Sequence, residues 1–397
     1  MDAIDVLLSR GVDSIYPTRQ ELEKVLRSGK KLKLYQGFDP SGANLHIGHA
    51  VGLRKLRQFQ DLGHEVIFLI GDFTGMIGDP SGKTDARKPL TREQVLDNAK
   101  EYKNQAGKIV RFDGPNPVQI KFNSTWNSKL TFEEVLRLSA HFTAQQMLER
   151  DMFQERLKNG KEISLVEFLY PVMVAHDAVA MEVDLELGGT DQTFNMLAGR
   201  KLHRQLLHKE KFVLTVPLLS DSTGRKIGKT EGNVIGLTDA PAQFYGKIMS
   251  LGDDAILPCF QLLTDVAEDQ MAAMQKAIHQ GANPMQFKKQ LAFELTKAFN
   301  DEQRAQDAQE QFEKTFQQKD FSSVEPFLIS NLPSNPIGII DLLVATKTAS
   351  SNSDARRLIN QRSVEIDQTL VDLTNTNVTL KPGMILKVGK KKFLKFE

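Results

Sequence analysis

Residues 31–70 read KLKLYQGFDP SGANLHIGHA VGLRKLRQFQ DLGHEVIFLI, and this stretch decides the fold class. Residues 31–39 and 65–70 have the composition of β-strands, and the second segment is apolar almost throughout, as expected of a strand covered on both faces. Between them, apolar residues at helical spacing predict a helix from about His49, with Gly63 after its end. A strand, a helix and a second strand in so short a stretch predict a βαβ unit and a parallel sheet.

Later segments extend this pattern. Capping boxes, in which a threonine or serine precedes a glutamine or glutamate by three residues, predict helix starts after Thr91, Thr131 and Ser164. A further short strand, Leu185–Leu187, runs into a pair of glycines. We therefore predict a doubly wound, Rossmann-type α/β domain with a parallel sheet and a helical insertion over residues 1–238.

The sequence changes character twice after this domain. Residues 239–325 are helical in pattern and mixed in charge, which predicts an all-α domain. Residues 326–335, which include two prolines, are predicted to be a linker. Residues 336–397 begin as a helix and continue as short strands, with ten lysines and arginines against six acidic residues, and predict a small, basic α+β domain.

Composition and charge exclude several classes of protein. The 397 residues are 40% hydrophobic and 25% charged, as in an ordinary globular protein, and the net charge of +1 gives no bulk argument for a nucleic-acid partner. The single cysteine, Cys259, excludes a disulfide framework and a cysteine metal site. No apolar run approaches membrane length and the first residues lack the apolar core of a signal peptide, so a cytoplasmic location is the default expectation.

A phosphate site is predicted at the start of the first helix of the βαβ unit, where His46-Ile47-Gly48-His49 lies. Helix N-termini favour phosphate oxygens because their N–H groups are unpaired and the helix dipole is positive there. Both histidines can donate to such oxygens as negative charge builds in a transition state, and Gly48 leaves room for a flat ring such as adenine. The alternatives are ordinary surface histidines or a zinc site, and zinc is disfavoured because no third ligand lies at a familiar spacing.

Two further segments suit phosphate binding. A glycine-bearing loop, residues 71–80, follows the second strand, where a Rossmann-type sheet places its ligand loop, and Lys83 and Arg87 lie just beyond it. A basic loop, residues 226–230 (KIGKT), offers two lysines and a hydroxyl on a flexible segment, although it lacks the glycine spacing of a Walker loop. Taken alone, each segment could also be a solvated surface turn.

Tyr170, Val174 and Asp177 fall on one face of the helix that begins after Ser164. Burying a tyrosine hydroxyl and a carboxylate is costly unless they meet a polar ligand. Tyr35 precedes the ligand turn and can point into the same space. Since a carboxylate only accepts hydrogen bonds and a tyrosine hydroxyl both donates and accepts, Tyr35 and Asp177 together suit a phenolic O–H group. Core packing of the two tyrosines is the alternative.

Taken together, these motifs resemble the class I aminoacyl-tRNA synthetases, and most closely the second subtype of the bacterial tyrosyl branch. They occur in the family's order: Tyr35 to Pro40, His46 to His49, Gly78 to Lys83, Leu187 to Gln192 and Lys226 to Thr230. The likeness covers essentially the whole chain, and the tail is similar to the small RNA-binding domain named after a ribosomal small-subunit protein. It implies a catalytic domain over residues 1–238 that includes the lysine loop 224–230, a helical anticodon-binding domain over 239–325, and that RNA-binding domain over 336–397.

The resemblance also implies roles for individual residues, with the phenol held by Tyr35 and Asp177 and the ammonium group by Asp79 and Tyr170. The implied tyrosine-binding residues are Tyr35, Asp79, Tyr170, Val174, Asp177 and Gln192. Those on the ATP side are Gly37, Asp39, Gly48, Gly189, Asp191 and Lys229. Those that act on the reacting phosphates are His46, His49, Lys83, Arg87, Lys226, Lys229 and Thr230. The implied tRNA contacts are Arg356, Arg357, Lys390 and Lys391.

The chain departs from the family's pattern at three places. Val174 stands where the family usually has a glutamine that helps to hold the ammonium group, and His176 stands where a tyrosine is usual. The lysine loop reads KIGKT rather than KMSKS, which keeps both lysines and a hydroxyl. We expect the loop to keep its role and Val174 to weaken amino-acid binding.

The implied activity is tyrosine–tRNA ligation in protein biosynthesis. Tyrosine would attack the α-phosphorus of ATP, with Mg²⁺ present, to give tyrosyl-adenylate and pyrophosphate, and would then pass to the 3′ end of tRNA(Tyr). No general base is needed, because the attacking carboxylate is already ionised. Neither a protein-bound metal nor a prosthetic group is expected, and the protein would be a homodimer joined through residues 125–165. The alternatives are a tryptophanyl synthetase and a non-catalytic, synthetase-like RNA-binding protein.

Overall fold

The computed structural model describes residues 2–81, 90–221, 223–224, 226–227, 234–317, 326–367, 369–389 and 392–397. The chain forms two compact units, Met1–Ala305 and Gln306–Glu397. Several residues singled out from the sequence lie outside the described residues: Lys83, Arg87, Gly228, Lys229, Thr230, Lys390 and Lys391. Within the described part of the chain, no helix has the length and apolar character needed to cross a membrane.

The first unit is built on a six-stranded sheet. Its strands are β1 (Ser14–Tyr16), β2 (Lys33–Phe38), β3 (Glu65–Ile70), β4 (Gln119–Phe122), β5 (Leu185–Gly189) and β6 (Phe212–Val216). They lie in the order β1-β6-β5-β2-β3-β4, and all pairs are parallel except the edge pair β1–β6. The chain winds outward from β2 in one direction through β3 and β4 and in the other through β5 and β6. The predicted doubly wound α/β fold is confirmed, and its crevice lies at the carboxyl ends of the strands beside β2.

Helices cover the sheet and continue beyond it. They are α1 (Ala3–Ser9), α2 (Arg19–Arg27), α3 (Ile47–Asp61), α4 (Thr74–Ile77), α5 (Arg92–Ala99), α6 (Tyr102–Ala106), α7 (Ser124–Asn127), α8 (Phe132–Ser139), α9 (Ala144–Leu148), α10 (Asp151–Lys158), α11 (Leu165–Met181), α12 (Thr193–Leu207), α13 (Pro241–Met249), α14 (Ile256–Leu263), α15 (Glu268–His279), α16 (Pro284–Phe299) and α17 (Glu302–Phe312). The predicted capping boxes at Thr91, Thr131 and Ser164 are all formed. Helices α7 to α10 form the helical insertion between β4 and α11.

The centre of the first unit is apolar. Tyr35, Ile67 and Leu69 of the sheet pack against Ala178 and Met181 of α11, and all of them are buried. Burying an aliphatic side chain of this size stabilises the fold by roughly 1.5–3 kcal/mol. This packing fixes α11 across the sheet, so the polar residues of its inner face are held over the crevice.

Contacts near the N-terminus explain why the helices that follow the sheet belong to the same compact unit. The guanidinium of Arg10 donates to the carbonyls of Phe260 at 3.1 Å and Val266 at 2.7 Å, around the end of α14. Arg54 of α3 forms an ion pair with Asp265 at 2.5 Å. The sequence-based boundary at residue 238 stays a prediction, since the unit continues to Ala305.

The second unit has its own core. Its elements are β7 (Pro326–Phe327), β8 (Ile337–Gly338), α18 (Ile339–Ala345), α19 (Asn352–Asn360), β9 (Val364–Ile366), β10 (Thr369–Leu370), β11 (Asn377–Val378), β12 (Ile385–Val388) and β13 (Lys392–Phe396). The strands form one sheet in the order β10-β9-β12-β13-β7 and a separate pair, β11–β8. Helices α18 and α19 pack against the same buried apolar cluster as the strands.

Residues 326–335 are not a plain linker. Strand β7 pairs in parallel with β13, and Phe327 packs edge-on against Phe396 with ring centroids 6.1 Å apart. The side chain of Asn335 exchanges two hydrogen bonds of 2.8 Å with the backbone of Leu380. The two prolines are typical of a linker, but Phe327 packs against the apolar core and β7 pairs with a strand that is distant in the sequence, so this segment is part of the fold.

Candidate functional site

A cavity of about 250 Å³ lies at the crevice beside β2. All the described residues predicted to bind tyrosine or ATP, or to act on the phosphates, line it: Tyr35, Gly37, Asp39, His46, Gly48, His49, Asp79, Tyr170, Val174, Asp177, Gly189, Asp191, Gln192 and Lys226. They come from the ends of β2 and β5, the start of α3, the middle of α11 and the loops between them. The fold therefore brings residues far apart in the sequence into one site.

The two histidines form the first turn of α3. The helix begins at Ile47 rather than near His49, because His46 is its N-cap and accepts a hydrogen bond of 3.1 Å from the N–H of Gly48 through Nδ1. The Nδ1 atom of His49 accepts from the N–H of His46, also at 3.1 Å. Since both Nδ1 atoms are acceptors, each neutral ring carries its proton on Nε2, where it can donate to an anionic oxygen.

Gly48 makes this arrangement possible. A Cβ atom at this position would lie 2.9 Å from Cε1 of His46, which is closer than carbon atoms approach without a shift. From the sequence, Gly48 was predicted to leave room for adenine, which stays a prediction. In the structure, the His46 ring lies on the side where a Cβ of Gly48 would project. The glycine thus has a local reason, the capping histidine.

Asp177 lies at the deep end of the cavity and is 2% exposed. Its Oδ1 accepts from Nε1 of Trp126 at 2.7 Å and from Nδ2 of Asn127 at 2.9 Å, and its Oδ2 accepts from Nδ2 of Asn123 at 3.0 Å. Burial raises the pKa of Asp177 to about 7, against the three hydrogen bonds, which lower it. The carboxylate is held rigidly and has most of its acceptor positions filled.

The three donors to Asp177 were missed in the sequence. Asn123, Trp126 and Asn127 follow the carboxyl end of β4 directly, at the sheet edge where ligand-binding loops gather. Trp126 is the single tryptophan of the chain. These polar residues after a strand were the available signal, but a four-residue strand with exposed ends is difficult to recognise from its pattern.

Tyr35 and Tyr170 are both buried, and burial is the main reason why the pKa of each hydroxyl is raised well above its usual value. The Tyr170 hydroxyl donates to Oδ2 of Asp39 at 2.9 Å. The Tyr35 hydroxyl has no hydrogen-bond partner among the described residues. Asp39, expected on the ATP side, therefore anchors Tyr170, and Tyr35 presents an unused polar group at the deep end of the cavity.

Asp79 is held by a relay of amides. Its Oδ2 accepts from Nε2 of Gln192 at 2.8 Å, and Oε1 of Gln192 accepts from Nδ2 of Asn195 at 2.9 Å. The Oδ1 atom of Asp79 accepts from the N–H of Ser81 at 2.9 Å. Arg150, which is buried and also missed in the sequence, donates to Oγ of Ser81 at 2.7 Å. These contacts fix the carboxylate at the side of the cavity.

Two of the three departures from the family's pattern have a visible setting. Val174 lines the cavity with an apolar side chain, so it offers no acceptor to a ligand. His176 faces the residues that hold Asp177 instead, since its Nδ1 lies 2.8 Å from Oδ1 of Asn127. His176 thus contacts a residue that holds Asp177 and does not line the cavity itself.

Lys226 and Asp191 form an ion pair at the open end of the cavity, with Nζ and Oδ2 2.9 Å apart. The lysine side chain is 47% exposed, and exposed pairs of this kind contribute little stability. A Cβ on Gly189 would lie 2.8 Å from Oδ1 of Asp191, so the glycine lets this carboxylate fold back over the strand end. Lys226 can therefore leave Asp191 for a phosphate at small cost.

The described residues contain no group of three histidine, cysteine, aspartate or glutamate side chains arranged to hold a metal ion. In the second unit, Arg356 and Arg357 lie on α19. Arg357 donates to Oδ1 of Asp354 at 2.6 Å, and hydrogen bonds from Ser350 and from this arginine lower the pKa of Asp354 to about 2. Both arginines are exposed, as a contact to RNA phosphates would require.

Comparisons with known proteins show the family of the chain. Residues 27–317 match the family model for class I tRNA synthetases (W and Y). The chain is 42% identical to tyrosine–tRNA ligase of Thermotoga maritima over 98% of this chain and 95% of that protein. It is 43% identical to tyrosine–tRNA ligase 2 of Pseudoalteromonas translucida, over 97% of this chain and 96% of the relative.

Solved structures share the fold. A C-terminally truncated mitochondrial tyrosyl-tRNA synthetase of Aspergillus nidulans has a TM-score of 0.65 at 22% identity, covering 79% of this chain and 94% of that one. A tyrosyl-tRNA synthetase of Archaeoglobus fulgidus, solved with L-tyrosine, has a TM-score of 0.59 at 19% identity, over 78% of this chain and 100% of the other. The resemblance found in the sequence is confirmed. With this fold, this cavity and relatives alike over nearly its whole length, the chain belongs to the tyrosine–tRNA ligases, enzymes of the class I aminoacyl-tRNA synthetases that use ATP, tyrosine and tRNA.

Proposed function

We propose that the chain joins L-tyrosine to ATP in the cavity beside β2 and then transfers tyrosine to the 3′ end of tRNA(Tyr). The observation that carries this proposal is that the two ends of the cavity differ in their chemistry. Its deep end holds Asp177 and Tyr35, both buried, and its open end holds His46, His49 and Lys226. A phenol suits the first end and a triphosphate suits the second.

The hydrogen bonds of Asp177 support a phenol as its ligand. A carboxylate has about four acceptor positions, and Asn123, Trp126 and Asn127 fill three of them. The remaining position would accept the phenolic O–H of tyrosine. The phenol oxygen would in turn accept from the Tyr35 hydroxyl, which makes no other hydrogen bond among the described residues.

We assign the ammonium group of tyrosine to Asp79, with Gln192 beside it and the Tyr170 hydroxyl as a further acceptor. Asp79 is oriented by Gln192 and by the backbone of Ser81. Since Val174 adds no acceptor, this side of the cavity makes fewer contacts with the ammonium group than a glutamine at that position would allow.

Chemistry would take place between the two ends. The tyrosine carboxylate attacks the α-phosphorus, a new carboxylate–phosphorus bond forms, and the bond to the β-phosphate oxygen breaks to release pyrophosphate. The Nε2–H groups of His46 and His49 would donate to oxygens that gain charge. Lys226 would leave Asp191 for the departing pyrophosphate, and Asp191 would then contact the ribose. Lys83, Arg87, Lys229 and Thr230 are proposed to join it, and ATP would enter as its Mg²⁺ complex.

We also propose a homodimer joined through residues 125–165. Four large apolar side chains are exposed within this segment, and a protein–protein interface would remove them from water. They are Phe132, Leu136, Leu157 and Leu165.

Contacts with tRNA are proposed for Arg356, Arg357, Lys390 and Lys391. A cytoplasmic location is our expectation for an enzyme of translation.

Amino-acid-dependent exchange of pyrophosphate into ATP tests the proposal. We expect exchange with tyrosine, at least a thousandfold less with phenylalanine, and none with tryptophan, because a pocket built around a phenol O–H strongly rejects analogues that lack it. Exchange with tryptophan alone would identify the tryptophanyl alternative. Tyrosine binding without any exchange would identify a non-catalytic RNA-binding protein and overturn the proposal.

A further inference from the structure

A buried ion pair lies behind the phenol end of the cavity. Lys211, at the start of β6, and Glu186, in β5, are both essentially inaccessible to solvent. The ammonium of Lys211 donates to Oε2 of Glu186 and lies 3.3 Å from the carbonyl of Met196. Neither residue was predicted from the sequence to be functional, and the reaction described above uses neither of them.

Helix α12 is shaped around this pair. A Cβ atom on Gly199 would lie 2.8 Å from Nζ of Lys211 and 3.2 Å from Oε2 of Glu186. Only a glycine lets the helix backbone approach the pair so closely. The lysine side chain thus has a fixed place between the sheet and α12.

The pair lies directly beside Tyr35. Tyr35 of β2 and Glu186 of β5 are register partners on neighbouring parallel strands, so their side chains leave the sheet on the same face. Both residues line the cavity together with Asp177. After burial, the negative charge of Glu186 is the largest influence that raises the pKa of the Tyr35 hydroxyl, so the two groups interact.

Glu186 and the phenol oxygen of a bound tyrosine would compete for the hydrogen bond that the Tyr35 hydroxyl can donate. A carboxylate beside a buried tyrosine would accept its O–H strongly, because hydrogen bonds to charged groups are about twice as strong as neutral ones. In the structure, the ammonium of Lys211 holds Oε2 of Glu186 and offsets its negative charge, and the Tyr35 hydroxyl makes no hydrogen bond of normal geometry with a described residue. In the proposed complex, the phenolic O–H of tyrosine donates a hydrogen bond to Asp177, so the phenol oxygen is left to accept one from another donor.

We propose that Lys211 is a positioning residue for tyrosine selection, which by holding Glu186 keeps the Tyr35 hydroxyl available as a donor to the phenol oxygen of the substrate. This inference rests on the proposed function, since it concerns the same pocket. A merely structural role is the alternative, but buried ion pairs are often no more stabilising than apolar side chains of similar volume.

The test compares kcat/KM for tyrosine and phenylalanine in pyrophosphate exchange. In Lys211→Met, the negative charge of Glu186 is no longer offset, so Glu186 accepts a hydrogen bond from the Tyr35 hydroxyl. We expect the tyrosine value to fall about tenfold, mainly through KM, with the phenylalanine value and the KM for ATP unchanged. In the double variant Lys211→Met with Glu186→Leu, the competing acceptor is gone, and the tyrosine value should recover to within about threefold of the parent.

A second cycle separates positioning from folding. In a Tyr35→Phe background there is no proton to compete for, so Lys211→Met should change neither kcat/KM nor the Tyr/Phe ratio further. A further loss of kcat/KM in the Tyr35→Phe background would overturn the proposal. An unchanged Tyr/Phe ratio of kcat/KM in Lys211→Met alone, as equal losses for the two amino acids would give, would also overturn it.

If Lys211→Met does not fold, the double variant Lys211→Met with Glu186→Leu is the test. A loss of selectivity for tyrosine over phenylalanine in that variant would contradict the proposal. Failure of the proposed function looks different, since the unmodified chain would then show no tyrosine-dependent exchange at all.

Discussion

At the scale of single residues, Val174 is the cavity residue that we expect to weaken tyrosine binding. Val174 lines the cavity with methyl groups, and we assign the ammonium group of tyrosine to its neighbourhood. We predict that Val174→Gln lowers the KM for tyrosine about tenfold, since a hydrogen bond to a charged group contributes roughly 1.5–3 kcal/mol. Initial-rate measurements of pyrophosphate exchange give this KM.

The matched control is Val174→Leu, which changes the volume without adding an acceptor and should not lower the KM for tyrosine. An unchanged or higher KM in Val174→Gln would show that the side chain at this position does not reach the ammonium group.

Asp177 should make the affinity for tyrosine depend on pH. Its pKa of about 7 means that the carboxylate is ionised above this pH and protonated below it. The ionised form accepts the phenolic O–H more strongly than the protonated form, because hydrogen bonds to charged groups are the stronger ones. Tyrosine affinity should therefore weaken as the pH falls from 8 to 6. Equilibrium titration of tyrosine across this range tests the prediction.

In Asp177→Asn the same titration should be flat and weaker throughout, because the amide does not ionise. A wild-type affinity that does not change between pH 8 and pH 6 would contradict the role given to this carboxylate.

At the scale of secondary-structure elements, a buried histidine links the starts of two neighbouring parallel strands. Nδ1 of the buried His64 accepts from the N–H of Leu32 at 3.1 Å, which ties the starts of β2 and β3 together. Burial and the nearby charge of Lys31 lower the pKa of His64 to about 4. The folded state therefore resists protonation, whereas the unfolded chain protonates at about 6.5.

The sign follows from linkage: stability from this group is complete above about pH 6.5 and is lost as the pH falls toward 4. We predict that His64→Asn, which keeps an acceptor at the same position but does not titrate, reduces the loss of unfolding free energy between pH 7 and pH 4.5 by about 2 kcal/mol. Urea unfolding at the two pH values measures it. An equal loss in both proteins would show that His64 is not responsible.

The elements also show how far sequence reasoning reaches. Strand β3 matches its prediction because a continuous apolar run is a local signal, and the three capping boxes are likewise local. The start of α3 was placed too late because a histidine is not a usual N-cap residue. Strand β7 was missed since it depends on pairing with β13 and on packing against Phe396, which are both far away in the sequence.

The same distinction applies to the site. Tyr35, Asp177 and the histidine pair are recognisable from their types and spacing, together with a family resemblance. Asn123 and Trp126 are not, because their contact with Asp177 depends on where β4 ends beside α11. The Glu186–Lys211 pair depends on strand register, which a single sequence does not reveal.

At the scale of the whole molecule, the proposed dimer makes a direct prediction. Phe132 and Leu165 are 77% and 78% exposed, an unusual cost for a monomer in water. We predict that Phe132→Asp with Leu165→Asp converts a dimer into a monomer, because charges would have to be buried in an apolar interface. Sedimentation velocity at micromolar concentration measures the change.

Leu373→Asp is the matched control, since Leu373 is also an exposed leucine, 62% accessible, but lies in the second unit. It should leave the dimer intact. A monomeric parent protein, or a dimer that survives both aspartates, would contradict an interface at residues 125–165.

The central claim is that one cavity separates recognition of tyrosine at its deep end from phosphate chemistry at its open end. The most direct test is single-turnover formation of tyrosyl-adenylate in the double variant His46→Ala with Lys229→Ala, with tyrosine affinity measured on the same preparation. We predict that adenylate formation is nearly abolished while the Kd for tyrosine stays within about threefold of the parent, since both lost groups act on charge that develops at the phosphates. Adenylate formation at the parental rate, or a loss of tyrosine affinity as large as the loss of rate, would contradict the account.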